Sequence, residues 1–236
     1  MTVSKKWSLS QELFSGWKRF EIIYVSLLLF LQILAYIIVP DSFIGMVSGL
    51  TGVLCLIYGM KGRKITFIFG IIQCLAMTYI AFISKAYGSF TMDIIYVISQ
   101  PIGWIMWGKD DAIRSFTKHQ RHLVFVGAFL AWLVGWLVLS ALHGQLPYFD
   151  AINLIVSLIA QTLYIFKFKE NWSLWIIVNI ANSLYWLILT LQFLLGQIHI
   201  GSLGANLSQV ALQFALLFNS IYANKVWSDE APDETV

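Results

Sequence analysis

Five residues in one stretch of the chain, Trp172, Trp175, Asn179, Asn182 and Trp186, recur at intervals of three and four. That spacing sets them on a single stripe of an α-helix. Indole faces stack on flat rings, and carboxamides both donate and accept hydrogen bonds. Alternating the two suits a flat heteroaromatic ring that carries hydroxyls. Tyr185 lies beside the stripe, and further polar residues interrupt other apolar runs. They are Gln73 and Thr78; Asp93, Tyr96, Ser99 and Gln100; Asn153 and Gln161; and Asn206, Ser208, Gln209, Gln213 and Asn219. From this set Gln73, Asp93, Gln100, Trp175, Asn179, Asn182, Tyr185, Trp186, Gln213 and Asn219 are the candidate substrate-binding residues. The competing role is an amide network holding helices together. For any one Asn or Gln the two roles weigh equally, whereas the set as a whole favours a lined cavity. Trp172, near the end of its run, suits an aromatic belt as well.

Asp93 is the carboxylate expected inside an apolar run, roughly a turn from its boundary. It could bond a substrate, balance a cationic ring, carry a proton in coupled transport, or cap a helix N-terminus. Glu21 and Asp150 stand at run ends, and no second carboxylate or histidine in the interior of a run completes a proton relay, which weighs against coupling.

Catalytic chemistry is absent from the pattern. His119, His122, His143 and His199 fall in loops or at run ends without metal-ligand spacing. There is no nucleotide-binding glycine loop and no Ser-His-Asp set that shares a face. We therefore expect no enzymatic activity, no cofactor and no metal. Cys55 and Cys74 lie within apolar runs and read as small buried hydrophobes.

The elements that must position these residues follow from composition. Hydrophobic residues make up 59% of the 236, charged residues 11%, and the mean hydropathy is +0.77. Soluble domains carry roughly a quarter charged residues, so this chain lacks the charge to cover a surface facing water. Its solvent is lipid, where such a composition is ordinary. The net charge of +3 sits in short gaps rather than on a basic face, which excludes a nucleic-acid partner.

A bilayer core takes helices of about 17–25 apolar residues. Eight runs fit: Glu21–Val39, Ser42–Met60, Thr66–Ser84, Ser89–Trp107, Leu123–Leu142, Phe149–Phe166, Trp172–Leu194 and Gly201–Asn224. Residues 1–20 suit an interfacial segment, with Trp7, Leu9, Leu13, Phe14 and Trp17 set among polar residues. Residues 225–236 read as a disordered tail. With eight crossings, Lys5, Lys6, Lys18, Arg19, Lys61, Arg63, Lys64, the basic residues of 109–121, Lys167, Lys169 and Lys225 collect on one side. Lys85 alone falls opposite. Positive charge marks the cytoplasmic face, so both termini are expected inside.

At an offset of 106, Tyr58 meets Tyr164, Arg63 meets Lys169, Gln73 meets Asn179 and Tyr79 meets Tyr185. The chain then reads as one N-terminal helix and two parallel three-helix bundles, 42–107 and 148–224. The loop and linker helix 108–142 join them in a 3+1+3 arrangement. Parallel repeats of this kind put a substrate site between repeats near the bilayer midplane. A channel or a ligand-binding receptor is the alternative of another class.

Four segments carry a resemblance: ENWSLWIIVN from Glu170 to Asn179, IGWIMW from Ile102 to Trp107, NSIY from Asn219 to Tyr222, and FIFGIIQ from Phe67 to Gln73. They resemble the PnuC vitamin-precursor transporters over about residues 17–227. The resemblance implies a fold similar to the SWEET sugar facilitators in the inner membrane of a bacterium. It implies facilitated diffusion of nicotinamide riboside, or of thiamine, riboflavin or a deoxynucleoside as in relatives. A cytoplasmic kinase would trap the substrate by phosphorylation, and a homo-oligomer stays open. The pattern departs from the family at Asp93, where relatives often carry glutamine, and at Gln73 and Gln100, near which they carry asparagine.

Overall fold

The structure, a computed structural model, describes residues 8–38, 43–83, 87–109, 112–142, 147–196 and 203–231. Among them the chain is helical: α1 (Leu9–Phe14), α2 (Arg19–Ile38), α3 (Phe43–Met60), α4 (Thr66–Ile83) and α5 (Tyr87–Lys109) come first. Then follow α6 (Lys118–Ala141), α7 (Pro147–Ile165), α8 (Asn171–Leu194) and α9 (Leu203–Glu230). No strand forms among the described residues; one isolated parallel bridge joins Arg114 to Phe168. Five helices, α3, α4, α6, α7 and α8, are long and apolar enough to cross a membrane. The remaining long helices, α2, α5 and α9, have 20, 23 and 28 residues, enough for a core of about 30 Å at roughly 1.5 Å per residue. Large apolar side chains such as Phe30, Phe82, Ile105, Leu137 and Leu191 point outward, as a lipid solvent permits and water would not.

The chain divides into two compact units, residues 1–110 and 111–236. In the first, α2 packs on α3, α3 on α4 and α4 on α5. Glycines set the spacing, because each lets a neighbouring side chain lie against bare backbone. Gln32 lies over Gly49, Gln73 over Gly52 and Gln100 over Gly70, while the Phe67 ring covers Gly103 and meets Trp107 edge-on at 4.8 Å.

Short α1 is clamped to the α3–α4 connection. The Arg63 guanidinium donates to the carbonyls of Gln11, Glu12 and Ser15, and the Glu12 carboxylate accepts the Ile65 N–H at 3.0 Å. Lys61 pairs with buried Glu21 and sits 4.9 Å from the centre of the Trp17 ring. Leu9 and Phe14 stay exposed.

In the second unit, α6 begins at Lys118, before the expected Leu123, because Thr117 and Gln120 form a reciprocal capping box. Ala128, Val156, Ala160, Leu163, Leu174 and Val178, from α6, α7 and α8, form the core. Within α7 the residues Ile152–Val156 form a π-turn, which adds a residue to the turn and rotates the face that follows. Helix α9 runs to Glu230, six residues beyond the expected end. The expected disordered tail is thus helical to that point, and residues 232–236 lie outside the described ones. Trp227 explains the extension: it is wholly buried, stacked with Tyr164 at 5.9 Å and edge-on to Trp172 at 5.6 Å.

The turns after α3 and α7 have the same backbone pattern. Gly62 N–H donates to Gly59 and Arg63 N–H to Tyr58; Lys167 N–H donates to Tyr164 and Phe168 N–H to Leu163. The residue with positive φ is Gly62 (64°) in one and Lys167 (61°) in the other. These pairs fix an offset of 105 at the turns, not the 106 suggested by side-chain matches. One residue is about 100° of helix rotation, so at this register Gln73 corresponds to Val178 rather than Asn179. Replacing Gly62 by alanine should cost about 1 kcal/mol, because a Cβ disfavours that backbone region. A detergent melt should register it as a drop of roughly 2–4 °C.

Candidate functional site

The α8 stripe exists, but its members do different work. Asn179 is buried; its Nδ2 donates to Ser220 Oγ at 2.7 Å and to the Leu216 carbonyl at 3.3 Å, tying α8 to α9. Asn182 is half-buried and accepts a 2.7 Å hydrogen bond from Asn153 Nδ2 on α7. Trp175 packs against the six-residue core of the unit. Trp172 is buried in the Tyr164–Trp227 ring cluster rather than standing in an aromatic belt. Toward the other end of the stripe, Tyr185 is edge-on to both Phe149 at 5.8 Å and Trp186 at 5.5 Å, all on α7 and α8.

Helix α9 carries the least satisfied amides. Asn219 is 2% exposed and neither atom of its amide has a hydrogen-bond partner among the described residues. Gln213 is 8% exposed and its Oε1 is likewise unpartnered. A buried polar atom left without a partner costs about 1–3 kcal/mol, so both groups are poised to gain from a polar ligand. The side chains of Asn206 and Ser208 fall outside the described set.

In the first unit, Gln100 is buried, and its amide nitrogen donates to the Tyr96 carbonyl at 3.3 Å and approaches Ser99 Oγ at 3.5 Å. Gln73 is half-buried over Gly52. Asp93 is half-buried and stands six residues into α5, which begins at Tyr87. That position excludes the capping role, since a cap precedes the first turn. Asp93 remains an interior carboxylate.

Within the second unit the structure brings together Asn179 with α9, Asn182 with α7, and Tyr185 with Trp186. Sequence reasoning named Asn153 but left it out of the chosen set, and it missed Ser220. Asn153 had a signal, as an amide in an apolar run; Ser220 had only its place beside Asn219. An apolar groove of about 530 Å³ between α6 and α7, lined by Leu130, Val134, Gly135, Leu139, Leu154 and Ile155, includes none of the ten candidates. Among the described residues no cluster of His, Cys, Asp and Glu is arranged to hold a metal ion.

Long apolar helices, packed through glycine notches and carrying amides in their interiors, define a multi-pass helical membrane protein. Residues 42–229 match the family described as "Nicotinamide mononucleotide transporter". The chain is 31% identical over 188 residues to the nicotinamide riboside transporter PnuC of Neisseria mucosa, covering 75% of this chain and 72% of that protein. It is 32% identical over 188 residues to PnuC of Haemophilus influenzae, covering 75% and 83%. A crystal structure of the vitamin B3 transporter PnuC superposes with a TM-score of 0.76 at 28% identity, over 97% of this chain and all of that one. The chain belongs to the PnuC family of membrane transporters.

Proposed function

We propose that this transporter carries nicotinamide riboside into the cell by facilitated diffusion, with a cytoplasmic kinase trapping the product. The observation that carries the reading is on α9, where among the described residues the buried Gln213 Oε1 and both amide atoms of Asn219 lack a partner, beside the aromatic and amide residues of α8. A hydroxylated heterocycle offers the donors and acceptors these groups lack. The full site in this reading comprises Gln73, Asp93, Gln100, Trp175, Asn179, Asn182, Tyr185, Trp186, Gln213 and Asn219. Eight spans in a 3+1+3 arrangement, α2 followed by α3–α5, α6 and α7–α9, complete it. Both termini are cytoplasmic, and the membrane is the inner membrane of a bacterium.

Protein in liposomes should take up nicotinamide riboside without an ion gradient, saturate with concentration and stop at equal concentrations on both sides. Dependence on a proton or sodium gradient would refute uniport, and non-saturating flux would indicate a channel. Tight binding without flux would indicate a receptor, and preference for thiamine, riboflavin or a deoxynucleoside would reassign the substrate. Asn219→Ala should weaken binding by roughly ten- to a hundredfold, the equivalent of one or two buried hydrogen bonds. Its melting temperature without ligand should fall less than that of Asn179→Ala, because among the described residues Asn219 has no hydrogen-bond partner to lose and only the cavity costs. Asn179→Ala should lower that temperature, since it breaks the α8–α9 tie. Wild-type affinity in Asn219→Ala would remove it from the site.

A further inference from the structure

The π-turn of α7 has a local consequence. Asn153 lies within it, and the Ser157 hydroxyl occupies the Asn153 carbonyl. The turn presents the Asn153 side chain to α8, where Nδ2 donates to Asn182 Oδ1 at 2.7 Å. A π-turn forfeits regular helical hydrogen bonds, and such turns concentrate at functional sites. Two apolar side chains would join α7 to α8 without that cost.

The bond also fixes what each amide has left to offer. Asn182 has spent its oxygen and retains its Nδ2 donor. Asn153 has spent one of its two N–H donors and keeps the other beside its Oδ1 acceptor; neither Asn182 Nδ2 nor Asn153 Oδ1 has a partner among the described residues. Both side chains are half-buried rather than sealed in the core. Asn182 Nδ2 as donor and Asn153 Oδ1 as acceptor, held side by side, form the complement of a primary carboxamide, whose oxygen accepts and whose N–H donates. The aromatic residues adjoin the pair: Tyr185 and Trp186 follow Asn182 by three and four residues on α8, and Phe149 meets Tyr185. A cationic pyridinium ring is attracted to such ring faces.

We propose that Asn153, held by the π-turn, sets Asn182 as a donor, and that the pair reads the carboxamide of the transported nucleoside and rejects the carboxylate analogue. A carboxylate has no N–H for Asn153 Oδ1 and would bring two acceptors against it, leaving a polar atom unpaired. This rests on the nicotinamide riboside reading above and adds to it the group by which the substrate is chosen. Asn153 is both a positioning residue for Asn182 and a direct contact.

The test uses full-length protein in detergent and three ligands: nicotinamide riboside, its nicotinic acid counterpart, and the pyridine riboside with no carbonyl substituent. Binding is followed by tryptophan fluorescence, with melting temperature as the fold control. Wild type should prefer the carboxamide over the acid by at least tenfold. In Asn153→Ala that preference should fall to less than threefold, with the unsubstituted pyridine riboside bound as in wild type. Asn153→Asp keeps the acceptor and adds negative charge but loses the N–H that holds Asn182 Oδ1, so it should reject the acid further while binding the carboxamide more weakly than wild type. If Asn153→Ala lowers affinity for all three ligands equally, Asn153 serves packing alone and the proposal fails. If both variants keep the wild-type ratio, the proposal fails while the substrate reading stands. If wild type binds none of the three, the substrate reading itself falls, and this inference with it.

Discussion

Glu170→Ala should lower the stability of the protein by about 3 kcal/mol, among the largest effects of any single change outside the site. Glu170 is 3% exposed, in the turn between α7 and α8. Its Oε1 accepts the Phe116 N–H at 3.0 Å and the Ser115 hydroxyl at 3.4 Å, and it lies 3.5 Å from Arg121 Nε. The segment before α6 is thereby tied to the turn, and backbone bonds between Arg114 and both Lys167 and Lys169 reinforce the tie. Alanine would leave the Phe116 N–H and the Arg121 guanidinium without their carboxylate. A thermal melt in detergent should move down by roughly 5–10 °C. Glu170→Gln keeps an oxygen for Phe116 and should lose about half as much. A Glu170→Ala protein melting within a degree or two of wild type would show that the backbone bridge alone holds the segment.

Trp227→Ala should cost about 3–5 kcal/mol, the range for removing a fully buried large aromatic. The side chain is 0% exposed and fills the space between Tyr164 and Trp172. Ending the chain after Asn224 should destabilise it as severely, whereas ending it after Ala231 should leave the melting temperature unchanged. If both truncations melt alike, the last turns of α9 are dispensable and the cluster is not what holds them.

These two residues also mark where the sequence stops being readable. The helices were legible, because a bilayer demands long apolar runs and this chain has them. Described ends such as Thr66, Met60 and Leu194 coincide with expectation. Trp227 was not legible as an anchor: an acidic tail containing Pro232 surrounds it, and nothing local shows that Tyr164 and Trp172 wait for its ring. The register of the two turns was misread by one residue for a similar reason. Gly62 advertises a left-handed backbone, but Lys167 adopts the same conformation without any sign in its side chain. Side-chain matches at 106 then outvoted a backbone pattern set at 105.

The amide stripe on α8 was correctly placed and incompletely interpreted. Periodicity found Asn179 and Asn182 on one face, but it cannot say which neighbour claims each amide. Asn179 serves α9 through Ser220, and Asn182 serves α7 through Asn153. The π-turn that brings Asn153 into place leaves no mark in hydropathy, since INLIV reads as ordinary apolar helix. Asp93 was assigned four roles because its distance from the helix start was unknown; six residues of helix before it reduce them to three.

The clamp on α1 has a consequence for how the chain is made. Its partners, Tyr58, Arg63 and Ile65, lie 45 to 53 residues further along the sequence. Ribosomes add about 5–20 residues per second, so α1 leaves the tunnel roughly 3–10 s before Arg63 follows it out to bind its carbonyls. Through that interval α1 lacks the groups that hold it in the folded protein. Docking of α1 is then a late step, able to occur only once α2, α3 and the turn that carries Arg63 have been made.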